Sequence, residues 1–237
     1  MFKDSIKLSG RLTIKKFNEK AELVYQTEVP NLVVNAGKEF LASRVIGADF
    51  DPMTHMAVGD DASTPTLAQT ALVNELARVA FDTALASGTN VTFTSVFPAG
   101  TATGNLVEAG IFNTDDTAVL VFDGDDDVNS SSDEITYVGH GLLTGDKVTY
   151  TDGGGTTIPG LTDGGTYYIV KISNDVFKLA TTYANAIAGT PVTIDIGDGL
   201  GANHKITFGT MLCRTTFPVI SKGAGETVAI TWTVTVG

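Results

Sequence analysis

Thr227-Val228-Ala229-Ile230-Thr231-Trp232-Thr233-Val234-Thr235-Val236 alternates without a break: Val228, Ile230, Trp232, Val234 and Val236 are separated by one alanine and three threonines. Successive side chains of a strand point to opposite faces, so a period of two predicts one apolar face and one face of hydroxyls. The same period recurs outward from there. Leu8, Leu12 and Ile14 sit among Lys7, Arg11, Thr13 and Lys15, and Leu23-Val24-Tyr25 with Val29 suggest a second strand ended by Pro30. Met53 to Gly59 reads as a buried strand, and Leu106 to Phe112 as another. Val79, Phe81, Thr83 and Leu85 alternate, as do Val91, Phe93, Ser95 and Phe97, with Ala86-Ser87-Gly88-Thr89-Asn90 as the hairpin loop between them. A short helix is expected over Lys38 to Ile46, stopped by Gly47; Thr66 to Leu76, entered through Ser63 or Thr64 as cap and Pro65 in the first turn, has helical composition for no more than a turn or two.

The chain of 237 residues carries 27 acidic and 15 basic groups, a net charge of −12, with 18% charged and 43% hydrophobic residues. That composition predicts a folded chain rather than a disordered one. An excess of carboxylates is the wrong sign for neutralising phosphates, so nucleic acid is not an expected partner. No apolar run is long enough to span a bilayer, and the first residues lack the apolar core of a secretory signal, so no membrane is expected either. The one cysteine, Cys213, has no partner for a disulfide within the chain.

The charge is unevenly distributed. Residues 1–47 hold 8 basic and 5 acidic groups, whereas residues 123–208 hold 12 acidic groups and 4 lysines. That acidic stretch begins after Ala118-Val119-Leu120-Val121-Phe122 and has turns and strands of its own, among them Asp152-Gly153-Gly154-Gly155, Thr166 to Ile172 and Val176 to Ala180. The sequence therefore predicts a mainly β protein: an antiparallel β-sandwich host domain with one or two short helices, interrupted by a second small all-β domain. The host is assigned residues 1–122 plus 209–237, and the insert residues 123–208, an insertion between two host strands being tolerated at an exposed hairpin tip.

Residues able to carry chemistry are few. Asp123, Asp125, Asp127, Asn129, Ser131 and Glu134 occupy positions 1, 3, 5, 7, 9 and 12 of a twelve-residue calcium loop, which makes Asp123, Asp125, Asp127 and Glu134 candidate ligands of calcium; no other cofactor is expected. Against this, Val128 stands where the loop needs glycine and no helices flank it; the competing reading is a solvated linker. His55, His140 and His204 lack the spacing of a zinc site. Gly153-Gly154-Gly155 and Lys222-Gly223-Ala224-Gly225 read as turns rather than phosphate loops, and no nucleophile elbow is present, so an enzyme is not expected. Tyr167 and Tyr168, with Phe177 and Tyr183, are candidates for a sugar-stacking surface, the alternative being packing between strands.

Four stretches resemble a family of small tailed-bacteriophage virion structural proteins. They are Asn31-Leu32-Val33-Val34-Asn35-Ala36-Gly37; His55-Met56-Ala57-Val58-Gly59 followed by Leu72 and Glu75-Leu76-Ala77-Arg78; Glu108-Ala109-Gly110-Ile111-Phe112-Asn113; and Met211 through Thr227 to Val236. Members are described as tail-fibre-like, head-fibre or decoration proteins. His140-Gly141-Leu142-Leu143-Thr144-Gly145-Asp146 with Thr166-Tyr167-Tyr168 resembles a small β module of phage and bacterial surface proteins, and its insertion departs from the simpler family pattern. The resemblance implies a non-catalytic component of a virion made in the infected bacterial cytoplasm. Its implied partners are other virion proteins and copies of itself, on tail, baseplate or capsid. The alternative is an adhesin whose insert binds a receptor or glycan on the host cell through Tyr167 and Tyr168.

Overall fold

The computed structural model describes residues 7–45, 52–115 and 119–237. In chain order the elements begin with β1 (Leu8–Phe17), β2 (Leu23–Pro30), β3 (Leu32–Val33) and helix α1 (Asn35–Val45). Next come β4 (His55–Gly59), β5 (Glu75–Ala80), β6 (Thr83–Ser87), β7 (Asn90–Phe97) and β8 (Gly104–Phe112). Then follow β9 (Val119–Phe122), β10 (Val128–Asn129), β11 (Glu134–Thr136), β12 (Lys147–Thr151), β13 (Thr166–Lys171), β14 (Val176–Ala180) and the one-turn helix α2 (Tyr183–Ala186). The chain ends with β15 (His204–Phe208), β16 (Met211–Lys222) and β17 (Thr227–Val236). All strand pairs are antiparallel, and the protein is a β-sandwich-type all-β fold with two helices among the described residues.

The described chain divides into a host unit of residues 7–42, 52–115 and 210–237 and a second, inserted unit of residues 119–209, with which residues 43–45 are grouped. The host holds two five-stranded sheets, ordered β2-β1-β17-β7-β6 and β3-β16-β8-β4-β5. In the first, the alternation of β17 is realised in register. Leu12, Trp232 and Phe93 form one buried row across β1, β17 and β7, and Ile14 lies opposite Ile230 in the next. The other face carries Thr13, Thr231, Thr94 and Thr83 in a row across four strands, with the hydroxyls of Thr83 and Thr94 bonded at 2.6 Å. Such cross-strand hydroxyl pairs hold register without burial.

The second sheet is buried on both faces, so its strands read as apolar runs rather than alternations. Met56, Ala57 and Val58 are all sealed from solvent, although they point alternately to opposite sides. Its outer face forms a cluster of Val34, Ala57, Leu72, Phe112 and Met211, covered by the start of α1 and by the chain leading into β5. Gly37 permits this: a Cβ there would stand 2.1 Å from the carbonyl oxygen of Leu212, so only glycine lets the helix lie this close to β16. Between Thr216 and Ile220, around Pro218, β16 slips register against β8, as expected where proline cannot donate to the ladder.

Four expectations are corrected. Val119–Phe122 belongs to the insert, because it pairs with β15 as the edge of the insert's seven-stranded sheet, β10-β11-β14-β13-β12-β15-β9; the insert therefore begins before Asp123. Thr66 to Leu76 forms turns rather than a helix, and Glu75–Ala80 is already strand. The alternation from Val79 to Leu85 is not one strand: β5 pairs with β4 in one sheet and β6 with β7 in the other, the chain crossing at Phe81 and Asp82. Helix α1 begins at Asn35, earlier than Lys38, with Phe40 buried and Val45 exposed; Gly47 lies outside the described residues.

Candidate functional site

The densest buried polar arrangement lies in the host. Glu108 sits in the apolar run of β8 and Arg214 in that of β16; their register (Glu108 opposite Thr216, Arg214 opposite Gly110) makes them diagonal neighbours, and both side chains are sealed from solvent. Arg214 Nε donates to Glu108 Oε2 at 2.8 Å, and Nη2 stands 2.7 Å from the same oxygen as an ion-pair contact rather than a directed hydrogen bond. Glu108 also accepts the backbone N–H groups of Asn74 at 2.9 Å and Val73 at 3.2 Å. Arg214 Nη1 donates to the carbonyl of Ser63 at 3.0 Å and to Gln69 Oε1 at 3.1 Å, with Asp61 3.7 Å from Nη2.

The pair therefore fastens both ends of the segment Asp61–Asn74 to the sheet. This is why the expected helix does not form: the N–H groups of Val73 and Asn74 go to a carboxylate instead of to carbonyls one turn earlier. Gly59 admits the segment, since a Cβ there would lie 2.3 Å from Asn74 O and 2.6 Å from Glu108 Oε1. The Asp61 carboxyl is held below its ordinary value by the hydroxyl and N–H of Ser63, with Arg214 adding to the effect. Chemically, the carboxylate and guanidinium are engaged with the chain itself, and the arrangement acts as a clamp. The readable signal is one acid within the apolar run of β8 and one base within that of β16, since a buried charge needs a partner.

In the insert, the candidate calcium ligands are spent locally. Asp127 accepts the N–H of Asp123 at 2.8 Å, Asp123 that of Asp125 at 2.9 Å, and Asp125 that of Gly201 at 2.9 Å. Glu134 lies on β11, accepting from Ser132 Oγ at 3.0 Å with Lys178 3.9 Å away. Among the described residues no group of three or more His, Cys, Asp or Glu is placed to hold a metal. The acidic run is thus not an extended linker: its carboxylates form a knot of side chain-to-backbone bonds that shapes β10 and β11.

Both insert histidines are buried and structural. His140 Nε2 meets the carbonyl of Ser173 at 3.0 Å while Nδ1 accepts the N–H of Leu142 at 3.0 Å. His204 Nε2 meets the carbonyl of Leu200 at 3.2 Å, and Nδ1 lies 2.9 Å from the hydroxyl of Tyr150, which accepts the N–H of Ile158 at 3.0 Å. A carbonyl oxygen only accepts, so Nε2 is the donor in each of these two bonds. Burial pushes the Tyr150 hydroxyl above its ordinary value. The His140-to-Asp146 motif is thus a folded turn: Asp146 accepts the N–H of Leu143 at 2.7 Å and Thr144 that of Lys171 at 3.0 Å.

The two candidate recognition tyrosines part company. Tyr167 is 7% exposed, packs in the insert's core with Phe177, and accepts the N–H of Thr162 at 2.8 Å, so it offers no surface for a sugar. Tyr168 points to the other face of β13, half-buried and edge-on to Tyr183 at 6.2 Å. In the host, Cys213 is fully buried, which pushes its thiol well above the ordinary range. Comparison of the chain with family models, with curated proteins and with solved structures finds no match.

Proposed function

We propose that the protein is a non-enzymatic structural component of a bacteriophage virion, assembling through the host β unit on the tail, baseplate or capsid surface and presenting the inserted module outward. The family reading rests on the sequence resemblance. The observation that supports an assembling subunit is the open sheet of the host: both of its edges, β2 and β6, are solvent-exposed, with Leu23 and Val24 51% and Leu85 66% exposed. Its outer face adds Lys15 on β1, an exposed cation suited to an acidic partner on the particle, beside Arg11, which is paired with Glu28. A protein that works alone blunts such edges; a subunit uses them.

Mass spectrometry of purified virions tests the proposal. The protein is expected in the particle, on the order of hundreds of copies for a capsid site and in a small multiple of three or six for a tail site. Its absence from purified particles would overturn the reading. For the adhesin alternative Tyr168, half-buried, is the one of the two tyrosines that keeps part of its surface accessible, and particles carrying Tyr168→Ala that adsorb to cells normally would dismiss it.

A further inference from the structure

We propose that the β6 edge is a two-fold pairing site for a second copy of this chain, joining two open host sheets into one continuous ten-stranded sheet. Three observations carry this. The first is which backbone groups are free. Val236 N–H donates to Thr89 O around the Thr235–Asn90 pair, so Asn90 turns its own N–H and C=O toward β6 and bonds Ser87 across the two-residue turn. By alternation, Leu85 also bonds toward β7, while Ala84 and Ala86 direct their N–H and C=O groups out of the sheet.

The second is the sequence of the strand. Thr83-Ala84-Leu85-Ala86-Ser87 reads nearly the same in both directions, so an antiparallel copy placed about Leu85 sets Ala84 against Ala86 twice and Leu85 against Leu85. That register engages all four free groups of each chain; a shift of the axis to Ala84 or Ala86 leaves part of them unpaired. The pairing is isologous, as two-fold contacts must be.

The third is charge. In a chain of net charge −12, β6 has no ionisable residue, and neither do the outward positions of β7 and β17 beside it. In this register Asp82 would face Gly88 of the other copy, so no like charges meet. The opposite edge differs: Glu28 on β2 is already paired with Arg11 at 2.9 Å, and Pro30 ends the strand. Every residue of β6 is exposed, with no proline, charge or bulge to guard it. A five-residue strand pair buries less than the roughly 1,200 Å² of a stable interface, so the dimer forms in the micromolar range or weaker and is strengthened where copies are held side by side.

The test uses the full chain with cysteines placed by register. Leu85→Cys sets two thiols opposite each other in a non-bonded pair, with Cα atoms about 4.5 Å apart, within disulfide reach. Thr83→Cys sets its thiols about 14 Å apart along the strand. Diamide oxidation is expected to give a disulfide dimer with Leu85→Cys and not with Thr83→Cys, the native Cys213 being buried. In sedimentation equilibrium, Leu85→Lys is expected to weaken self-association at least tenfold, because two ammonium groups then meet on the axis. Equal cross-linking at both positions, a chain that stays monomeric up to millimolar concentration, or association unchanged by Leu85→Lys would each overturn the proposal, independently of whether the protein is found in virions.

Discussion

The two sheets of the host unit solve the burial problem in opposite ways. In the open sheet the central strands β1, β17 and β7 have one apolar face and one polar face, rich in threonine, and the buried row of Leu12, Trp232 and Phe93 contains no charge. In the covered sheet both faces are buried, and a complete ion pair, Glu108–Arg214, lies inside it. The open sheet depends on pattern alone. The covered sheet needs a loop to close its outer face, and a loop brings unpaired backbone groups, which the ion pair satisfies. The first arrangement leaves edges and a face free for partners, while the second is consumed by its own chain.

The largest effect is expected where the covered sheet's device is broken. Glu108→Ala leaves buried Arg214 with only the more distant Asp61 as counter-charge and frees two N–H groups, and should cost about 3–5 kcal/mol in chemical denaturation. The double substitution Glu108→Leu with Arg214→Met should recover much of that stability, since apolar replacement of a buried pair is often neutral. It should nonetheless make residues 61–74 more open to limited proteolysis, because the side chains that fasten the two ends of the segment are gone and Leu72 with the backbone bonds of Leu67 and Asn74 is left to hold it. If the double variant is as protease-resistant as the parent, the pair is not what fastens the segment. In the open sheet the expected effects are smaller and one-sided. Ile230→Val on the buried row should cost about 0.5–1.5 kcal/mol, whereas Thr231→Ala on the facing side should stay within about 0.5 kcal/mol. A Thr231 cost matching that of Ile230 would mean the outer face is not free.

This contrast also explains what the sequence made legible. Alternation is written into Thr227–Val236, Leu8–Ile14 and Val91–Phe97 because each strand has a wet side, and all three strands are found where the pattern puts them. The covered sheet writes no alternation, so Met211–Lys222 carries no strand period, and the loop that covers it has the composition of a helix without forming one. Propensity favoured a helix at Thr66–Leu76; two hydrogen bonds from a residue more than thirty positions away decided otherwise. In the insert, composition identified the acidity but not its use. The spacing of Asp123, Asp125 and Asp127 matches a cation loop and equally matches a series of turns in which each carboxylate caps a nearby N–H. Only the backbone path separates the two. Likewise Tyr167 and Tyr168 are adjacent in sequence and opposite in exposure, and which one faces the core depends on a register that sequence does not print.

The smallest expected effect is a slope rather than a midpoint, and it concerns the end of the covered sheet. Lys222 on β16 is 1% exposed, and its Nζ donates to the carbonyl of Pro98 at 2.9 Å. Burial pulls its ammonium below the ordinary lysine value of 10.5, with Glu226 opposing that shift. A base with a lowered folded pKa binds its proton more weakly in the folded state than in the unfolded one. The penalty is therefore full below the folded pKa and is relieved as pH rises from there toward 10.5, so the host should gain stability across that window. Lys222→Met should flatten this rise. Tyr150 in the insert predicts the reverse sign, because its raised hydroxyl pKa lets the unfolded state ionise first once pH passes about 10, the ordinary tyrosine value. The single tryptophan, Trp232, lies in the host, so its fluorescence follows the host transition while far-ultraviolet circular dichroism follows both units. Denaturation curves at neutral and mildly alkaline pH, read by tryptophan, should differ between parent and Lys222→Met in slope with pH. Parallel pH profiles would show that Lys222 keeps its ordinary protonation on folding and that the covered sheet seals its charges only at Glu108 and Arg214.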